Sequence, residues 1–206
     1  MAKNNSSTLF DRIAPVYGLF YNYQKKRFRE VIDRASEEMD LNSYRTILDV
    51  GCGTGALCSV LNEIGLTVTG IDPAARMLSI ARGKPENARI IFIQASVLDK
   101  LPFEDKSFDV SIASYVAHGM QKNEREKMYS EMSRVTKNKV IIYDYNNKRA
   151  VLTSLIERLE GGDYFRFIES AETEMKNCVS GSESCFSEVR VLDVDVRGSW
   201  YICTPT

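Results

Sequence analysis

The sequence predicts an α/β fold: a doubly wound, Rossmann-like, mostly parallel sheet with helices on both faces and an antiparallel hairpin strand at its C-terminal end. Three observations predict it. Short β-branched runs alternate with helix-period segments between residues 46 and 143. A glycine-rich turn, Asp49-Val50-Gly51-Cys52-Gly53-Thr54-Gly55, joins the first of these strands to the helix after it. Two further alternating segments flank Gly198, the pattern of a hairpin.

The elements follow in chain order. Residues 1–8 are polar, carry no apolar leader, and read as a loose tail. Phe28, Val31, Ile32, Ala35 and Met39 have the i, i+3, i+4 spacing of one helix face. Lys25, Lys26, Arg27 and Arg29 at its start read as a solvated face, with a phosphate-binding patch as the alternative. Strands are expected over 46–50, 67–71, 89–93, 108–113 and 140–143. Helices are expected over 56–64, 73–82 and 124–135. Gly65 suits a helix stop and Pro73 a first helical position. Helices over 150–159 and 164–175 lie on either side of Gly161-Gly162, and strands over 186–196 and 199–203 complete the hairpin. With no repeat and no long linker, 1–206 reads as a single domain. It comprises an N-terminal tail and helical lid segment (1–40), a ligand-binding core (45–145), and variable helices with the closing hairpin (146–206).

Composition excludes several classes. Of the 206 residues, 27 are basic and 28 acidic, for a net charge of −1, which gives no general attraction to nucleic acid or anionic membrane. The longest apolar runs are four residues, where a bilayer-spanning helix needs about 20. The five cysteines form no C-x-x-C pair and His118 is the only histidine, so no metal site is expected. An odd number of scattered cysteines fits a reducing, cytoplasmic setting.

The glycine loop carries the strongest chemical signal. Glycines let the chain turn sharply and approach a ligand, and in a doubly wound sheet ligands bind at this place. A dinucleotide fingerprint wants its third glycine at position 56, where Ala56 stands, a substitution that the fingerprint tolerates. Asp49 decides between ligands: a carboxylate there repels a pyrophosphate and suits a cation. Asp72, at the end of the second strand, either receives ribose hydroxyls or caps the helix that follows.

These residues resemble the class I S-adenosylmethionine-dependent methyltransferases. The carrying motifs are Leu48-Asp49-Val50-Gly51-Cys52-Gly53-Thr54-Gly55, Gly70-Ile71-Asp72, Leu101-Pro102-Phe103 and Ser107-Phe108-Asp109. The opening Phe10-Asp11-Arg12-Ile13-Ala14-Pro15-Val16-Tyr17 is similar to the small-molecule branch that includes ubiquinone and menaquinone biosynthesis enzymes. The resemblance implies seven strands with the last antiparallel, S-adenosylmethionine as methyl donor and S-adenosylhomocysteine as product. It implies that Asp49 and the backbone of Gly51 and Gly53 face the methionine moiety, that Asp72 holds the ribose, and that Ser96 and Val97 flank the adenine. Many relatives carry an acidic residue where this chain has Val97, which leaves that contact to Ser96 or to backbone. They also often carry Pro-Gly-Gly where this chain has Thr136-Lys137-Asn138, read here as a turn.

Methyl transfer needs positioning, and a base only where the acceptor loses a proton. The ends of the fourth and fifth strands carry the candidates: Tyr115 and His118 first, then Tyr143 and Asp144. Tyr17 is the expected lid residue over the cofactor, Phe20 is expected in the core, and Tyr164-Phe165-Arg166-Phe167 is a candidate lining of the acceptor pocket. The predicted function is methyl transfer to a small-molecule acceptor, with no nucleic-acid partner. The alternatives are a binding protein for the same cofactor without turnover, a macromolecule methyltransferase and, more distantly, a nicotinamide oxidoreductase.

Overall fold

Seven strands form one sheet in the order β3-β2-β1-β4-β5-β7-β6. They are β1 (Thr46–Val50), β2 (Thr67–Asp72), β3 (Ile91–Gln94), β4 (Phe108–Ser114), β5 (Thr136–Tyr145), β6 (Phe186–Asp193) and β7 (Gly198–Pro205). The helices are α1 (Asn5–Leu19), α2 (Tyr21–Ala35), α3 (Ala56–Glu63), α4 (Ala75–Arg82), α5 (Lys122–Val135) and α6 (Tyr164–Ser180). The computed structural model describes residues 5–146, 164–180 and 185–206. The helix expected over 150–159 and the Gly161-Gly162 break lie outside the described residues. No described helix is long and apolar enough to cross a membrane. The chain divides into two compact units, Met1–Asp99 and Lys100–Thr206.

In the first unit β1, β2 and β3 pair in parallel, with Val50 beside Ile71 and Asp72 beside Gln94. Strands β1 and β2 are short apolar runs buried along nearly their whole length, as parallel strands under helices must be, while the edge strand β3 buries only Phe92. Helix α3 buries Ala56 through Leu61 without interruption. It stops at Gly65, whose φ of +99° only glycine adopts readily, and there Leu66 N–H donates to Leu61 O (3.1 Å). Gly55 enters α3 at φ +78°. A Cβ there would meet Asn87 Nδ2 at 2.9 Å and Phe92 Cζ at 3.0 Å, so this glycine serves packing as well as the turn.

Several boundaries differ from expectation for local reasons. The polar segment from Asn5 is helical, not a loose tail, because it continues into α1. That helix buries Ala14 and packs Phe10, Ile13 and Tyr17 against Ala74, Met77 and Ile80 of the α4 region. Helix α2 begins at Tyr21 and ends at Ala35, leaving Met39 buried beyond its end. Phe20, expected in the core, is 56% exposed, while Tyr21 takes the buried position. Phe20 is the capping residue between two helices, so the helical phase restarts after it. Pro73 precedes α4 rather than opening it: Asp72 Oδ1 takes the Ala74 N–H (2.8 Å) and Asp11 Oδ1 takes that of Arg76 (2.9 Å). Of the basic cluster, Lys25 and Arg29 both pair with Glu63, and Arg27 pairs with Glu30, which favours the reading as an ordinary paired surface.

In the second unit β5 pairs in parallel with β4 and antiparallel with β7, and β7 pairs antiparallel with β6. The hairpin around Gly198 and its antiparallel sense are as predicted. The edge strand β6 exposes Glu188 and Arg190 among others, which blunts further strand addition. Helix α5 begins two residues early because Gln121 N–H donates to Glu124 Oε2 (2.9 Å) across a capping turn. It then runs directly into β5. The expected turn at Thr136-Lys137-Asn138 is strand: Thr136 pairs with Phe108 across a register shift, and its hydroxyl meets Ser111 Oγ at 2.8 Å. Helix α6 is fastened to α5 by a buried Arg125–Glu174 pair. Nε and Nη2 each donate to one carboxylate oxygen at 2.7 Å, and Arg125 also lies over the Phe167 ring. Phe167, expected to line a pocket, is thereby a core residue, and the side chains of residues 164–166 lie outside what is described.

Candidate functional site

Strand β1 delivers Asp49 and the glycine loop, and strand β2 delivers Asp72. Gly51, Gly53 and Gly55 all have positive φ (72°, 52° and 78°). The loop spends its own amides. Gly51 and Cys52 N–H both donate to Ile71 O (2.8 and 3.0 Å), and Gly55 N–H donates to Cys52 O (2.9 Å). Gly53 N–H donates to Asp72 Oδ2 (2.9 Å). A pyrophosphate would need those donors. Their internal use, beside an acidic residue, gives this turn the character of a cradle for a neutral or cationic group. A Cβ on Gly53 would meet nothing within 4 Å, so the loop is open at that point.

Asp72 fills one of the two roles weighed for it, the cap on the turn before α4, and it also ties down the glycine loop. Each carboxylate oxygen carries one backbone bond, and a second lone pair remains on each. Burial raises its pKa, and the two backbone amides oppose that rise.

Asp49 is fully buried, and Cys58 Sγ–H donates to its Oδ2 (3.1 Å). Burial pushes its pKa up to about 7. The Cys58 bond works against that shift, and the neighbouring Asp72 charge adds to it. The thiols of Cys52 and Cys58, raised by burial, stay protonated. The folded chain therefore holds the Asp49 proton where the unfolded chain has lost it. Stability falls as pH climbs from 3.8 to about 7 and levels beyond, on the order of 4 kcal/mol for this group. Thermal melts of the wild type and Asp49→Asn from acid to neutral pH check this, because the variant lacks that component of the slope.

Beyond β3, Ser96 turns the chain. Its hydroxyl accepts Leu98 N–H (3.2 Å) and its carbonyl accepts Asp99 N–H (3.1 Å). Val97 is buried. Tyr17 is half-buried on α1, edge-on to Phe10, against the Ala74–Met77 surface. Five of the predicted residues thus belong to β1 (Asp49), the loop after it (Gly51, Gly53), β2 (Asp72) and α1 (Tyr17), which packs on the α4 region. Asp11, which caps α4, was not foreseen; its signal was its place inside the Phe10–Tyr17 motif.

In the second unit the ends of β4 and β5 converge. His118 Nδ1 lies 2.8 Å from Asp144 Oδ1, and His118 N–H donates to Asp144 Oδ2 (3.2 Å); both residues are buried. Tyr145 N–H also donates to Oδ1 (2.8 Å). An ionised carboxylate in that position sets the tautomer with the proton on Nδ1 and makes Nε2 the basic nitrogen. Tyr115 stands at φ +56°, a strained conformation for an aromatic residue, and its hydroxyl donates to that of Tyr143 (3.1 Å). Burial and the neighbouring tyrosine raise its pKa, so it is a neutral phenol. Tyr145 completes the group, with its ring 5.0 Å from Tyr115 and 4.9 Å from His118. Tyr145 was missed, although alternation along β5 places it on the same face as Tyr143. At Gly198 a Cβ would fall 2.8 Å from Tyr143 Cε2 and 3.2 Å from the Tyr115 hydroxyl, so only glycine fits there.

A methyltransferase-domain family model matches residues 47–139, the glycine loop included. An uncharacterized methyltransferase of Bacillus licheniformis is 30% identical over 171 residues, covering 79% of this chain and 76% of that protein. The chain belongs to the class I S-adenosylmethionine-dependent methyltransferases. This methyltransferase is also 33% identical over 135 residues to the demethylmenaquinone methyltransferase of Paenarthrobacter aurescens, covering 64% of its own length and half of that protein. In fold, the methyltransferase is similar to magnesium protoporphyrin IX methyltransferase from Synechocystis, whose structure holds bound S-adenosylmethionine. The TM-score is 0.60 at 16% identity, over 89% of this chain and 80% of that one. Among the described residues of the methyltransferase, no group of three or more His, Cys, Asp or Glu is placed to hold a metal ion.

Proposed function

We propose that this methyltransferase, with 1–206 acting as one domain, alkylates a small molecule whose attacking atom gives up a proton to His118. The observation that carries this reading is the buried His118–Asp144 pair among Tyr115, Tyr143 and Tyr145. A buried histidine fixed in one tautomer by a carboxylate is equipped to accept a proton. The quinone and porphyrin methyltransferases among the similar proteins support an acceptor of small-molecule class.

When bound, S-adenosylmethionine would supply an electrophilic methyl group on a sulfonium, whose carbon–sulfur electron pair would leave on a neutral thioether as the bond to the acceptor forms. Asp49 offers buried negative charge to the methionine end. Asp72 receives the two ribose hydroxyls on its remaining lone pairs. Ser96 and the backbone around Val97 border the adenine, and Tyr17 covers it. The Gly53 amide is committed to Asp72, so this glycine contributes contour and its carbonyl rather than a donor. In doubly wound sheets ligands lie outside the C-terminal ends of strands, and Asp49 and Asp72 stand at such ends of β1 and β2. His118 takes the acceptor proton, Asp144 fixes the ring, and Tyr115 and Tyr143 shape an aromatic wall that excludes water.

The test is S-adenosylhomocysteine formation across a panel of phenols, hydroquinones and short-chain demethylmenaquinone analogues. A turned-over acceptor is expected among them. With it, His118→Asn should lower kcat by about a hundredfold or more, in the range of a lost general base, with the S-adenosylhomocysteine affinity unchanged. Cofactor binding without turnover of any acceptor would favour a binding protein instead, and full activity in His118→Asn would remove the base from the mechanism.

A further inference from the structure

Helix α1 is apolar on two sides. Its inner side carries Phe10, Ile13, Ala14 and Tyr17 and is spent on the α4 region. Its outer side carries Leu9, Val16 and Leu19, spaced to stack along one face, and Phe20 and Tyr23 follow them, exposed, at the break before α2 and in its first turn. These five are the exposed large hydrophobics of the first unit's helical segment. Leu9 is 37%, Val16 53%, Leu19 83%, Phe20 56% and Tyr23 64% exposed. Exposed apolar residues scattered singly need no explanation, but five within fifteen consecutive residues mark an interaction surface.

The charges around the strip choose the partner. Arg12 lies on the same face, three residues after Leu9 and four before Val16. Lys26 lies three residues after Tyr23. Both are exposed, and none of the exposed residues between Thr8 and Lys26 is acidic. Asp11 is turned to the Arg76 amide and Glu30 to Arg27. A leucine–phenylalanine–tyrosine strip flanked by cations and cleared of carboxylates is the composition of a helix that lies in a lipid interface. A twofold contact between copies fits less well. It would set the two cations of one copy against those of the other, and the strip supplies about ten residues where a stable interface takes 20–30 per side.

We propose that the outer face of α1 and the start of α2 dock this enzyme on an anionic bilayer surface. The helix lies flat, its 15 residues spanning about 22 Å, with Leu9, Val16, Leu19 and Phe20 inserted between headgroups and Arg12 and Lys26 on phosphates. The net charge of −1 makes this a local property of one strip rather than of the whole chain. The inference does not depend on which acceptor is methylated.

The test is flotation of the full chain with vesicles of phosphatidylglycerol and phosphatidylcholine, against vesicles of phosphatidylcholine alone. The wild type should float with the anionic vesicles and be largely released at high salt. The double variant Leu19→Glu/Phe20→Glu should lower the bound-to-free ratio tenfold or more, and Arg12→Glu should do so on anionic vesicles only. The melting temperature and S-adenosylhomocysteine binding of each variant should match the wild type, which separates loss of docking from loss of fold or of the cofactor site. Absence of flotation, or flotation equal in wild type and double variant, overturns the proposal. So does a concentration-dependent dimer in sedimentation velocity that the double variant abolishes, because the strip is then a contact between copies.

Discussion

Asp72→Ala is expected to weaken S-adenosylhomocysteine binding by about a hundredfold to ten-thousandfold in a calorimetric titration. Two ribose hydroxyls donating to an ionised carboxylate contribute roughly 1.5–3 kcal/mol each, and every 1.4 kcal/mol is a factor of ten. The same substitution releases the Gly53 and Ala74 amides, which now donate to Asp72 at 2.9 and 2.8 Å, so the loop itself loosens. Asp72→Asn separates the two effects. Its one remaining oxygen still serves one amide, while its NH2 group cannot accept from a hydroxyl. If Asp72 were a turn cap and nothing more, both variants would melt earlier yet bind ligand as the wild type does. Against this ligand, affinity should also rise with pH through about 7 as Asp49 ionises, and Asp49→Asn should flatten that profile.

Arg125→Ala is expected to cost about 3–5 kcal/mol of stability, the usual result of leaving one member of a buried ion pair without its partner. Arg125 is 1% exposed, and it also donates Nη1 to Met120 O (2.6 Å). Glu174, stranded by the substitution, would retain among the described residues the 3.4 Å bond from Tyr129. Denaturant unfolding measures the loss, and hydrogen exchange should place it first in α6, which the pair ties to α5. A paired replacement, Arg125→Met with Glu174→Leu, should recover most of the stability, because a packed apolar pair carries no desolvation cost. Failure to recover would mean that Arg125 contributes chiefly through its bond to Met120 O and its packing on Phe167 rather than through the ion pair.

The core of the fold was legible because its signals are local. The strand over 46–50, the stop at Gly65 and the hairpin at Gly198 rest on residues within a few positions of one another. Asp72 was legible for the same reason. What could not be read was any partnership across the chain. His118 and Asp144 were both picked out, yet nothing in a spacing of 26 residues says that the ends of β4 and β5 are neighbours. The Cys58 bond to Asp49, which works against the burial-driven rise in that carboxyl's pKa, and the Arg125–Glu174 clasp are hidden for the same reason. The misplacement of Phe20 has another origin. In the run Phe20-Tyr21-Asn22-Tyr23 every phase of a helix offers an aromatic residue to the core, and only the break between α1 and α2 selects Tyr21. Thr136 shows the limit of turn signals: a polar trio stays in a strand when a bulge absorbs it.

The pairing of β5 with β7 sets an order of events during synthesis. Strands β1, β2 and β3 can join as soon as the first hundred or so residues have left the ribosome, since each needs only its near neighbours. Strand β5 cannot complete its second edge until residues more than fifty positions later, Gly198 to Cys203, have emerged. For that interval it presents an apolar edge of Val140, Ile141 and Ile142 to the cell, an invitation to the wrong strand. Nascent chains stalled before β7 should therefore be the form that chaperones hold and that aggregates when they are scarce.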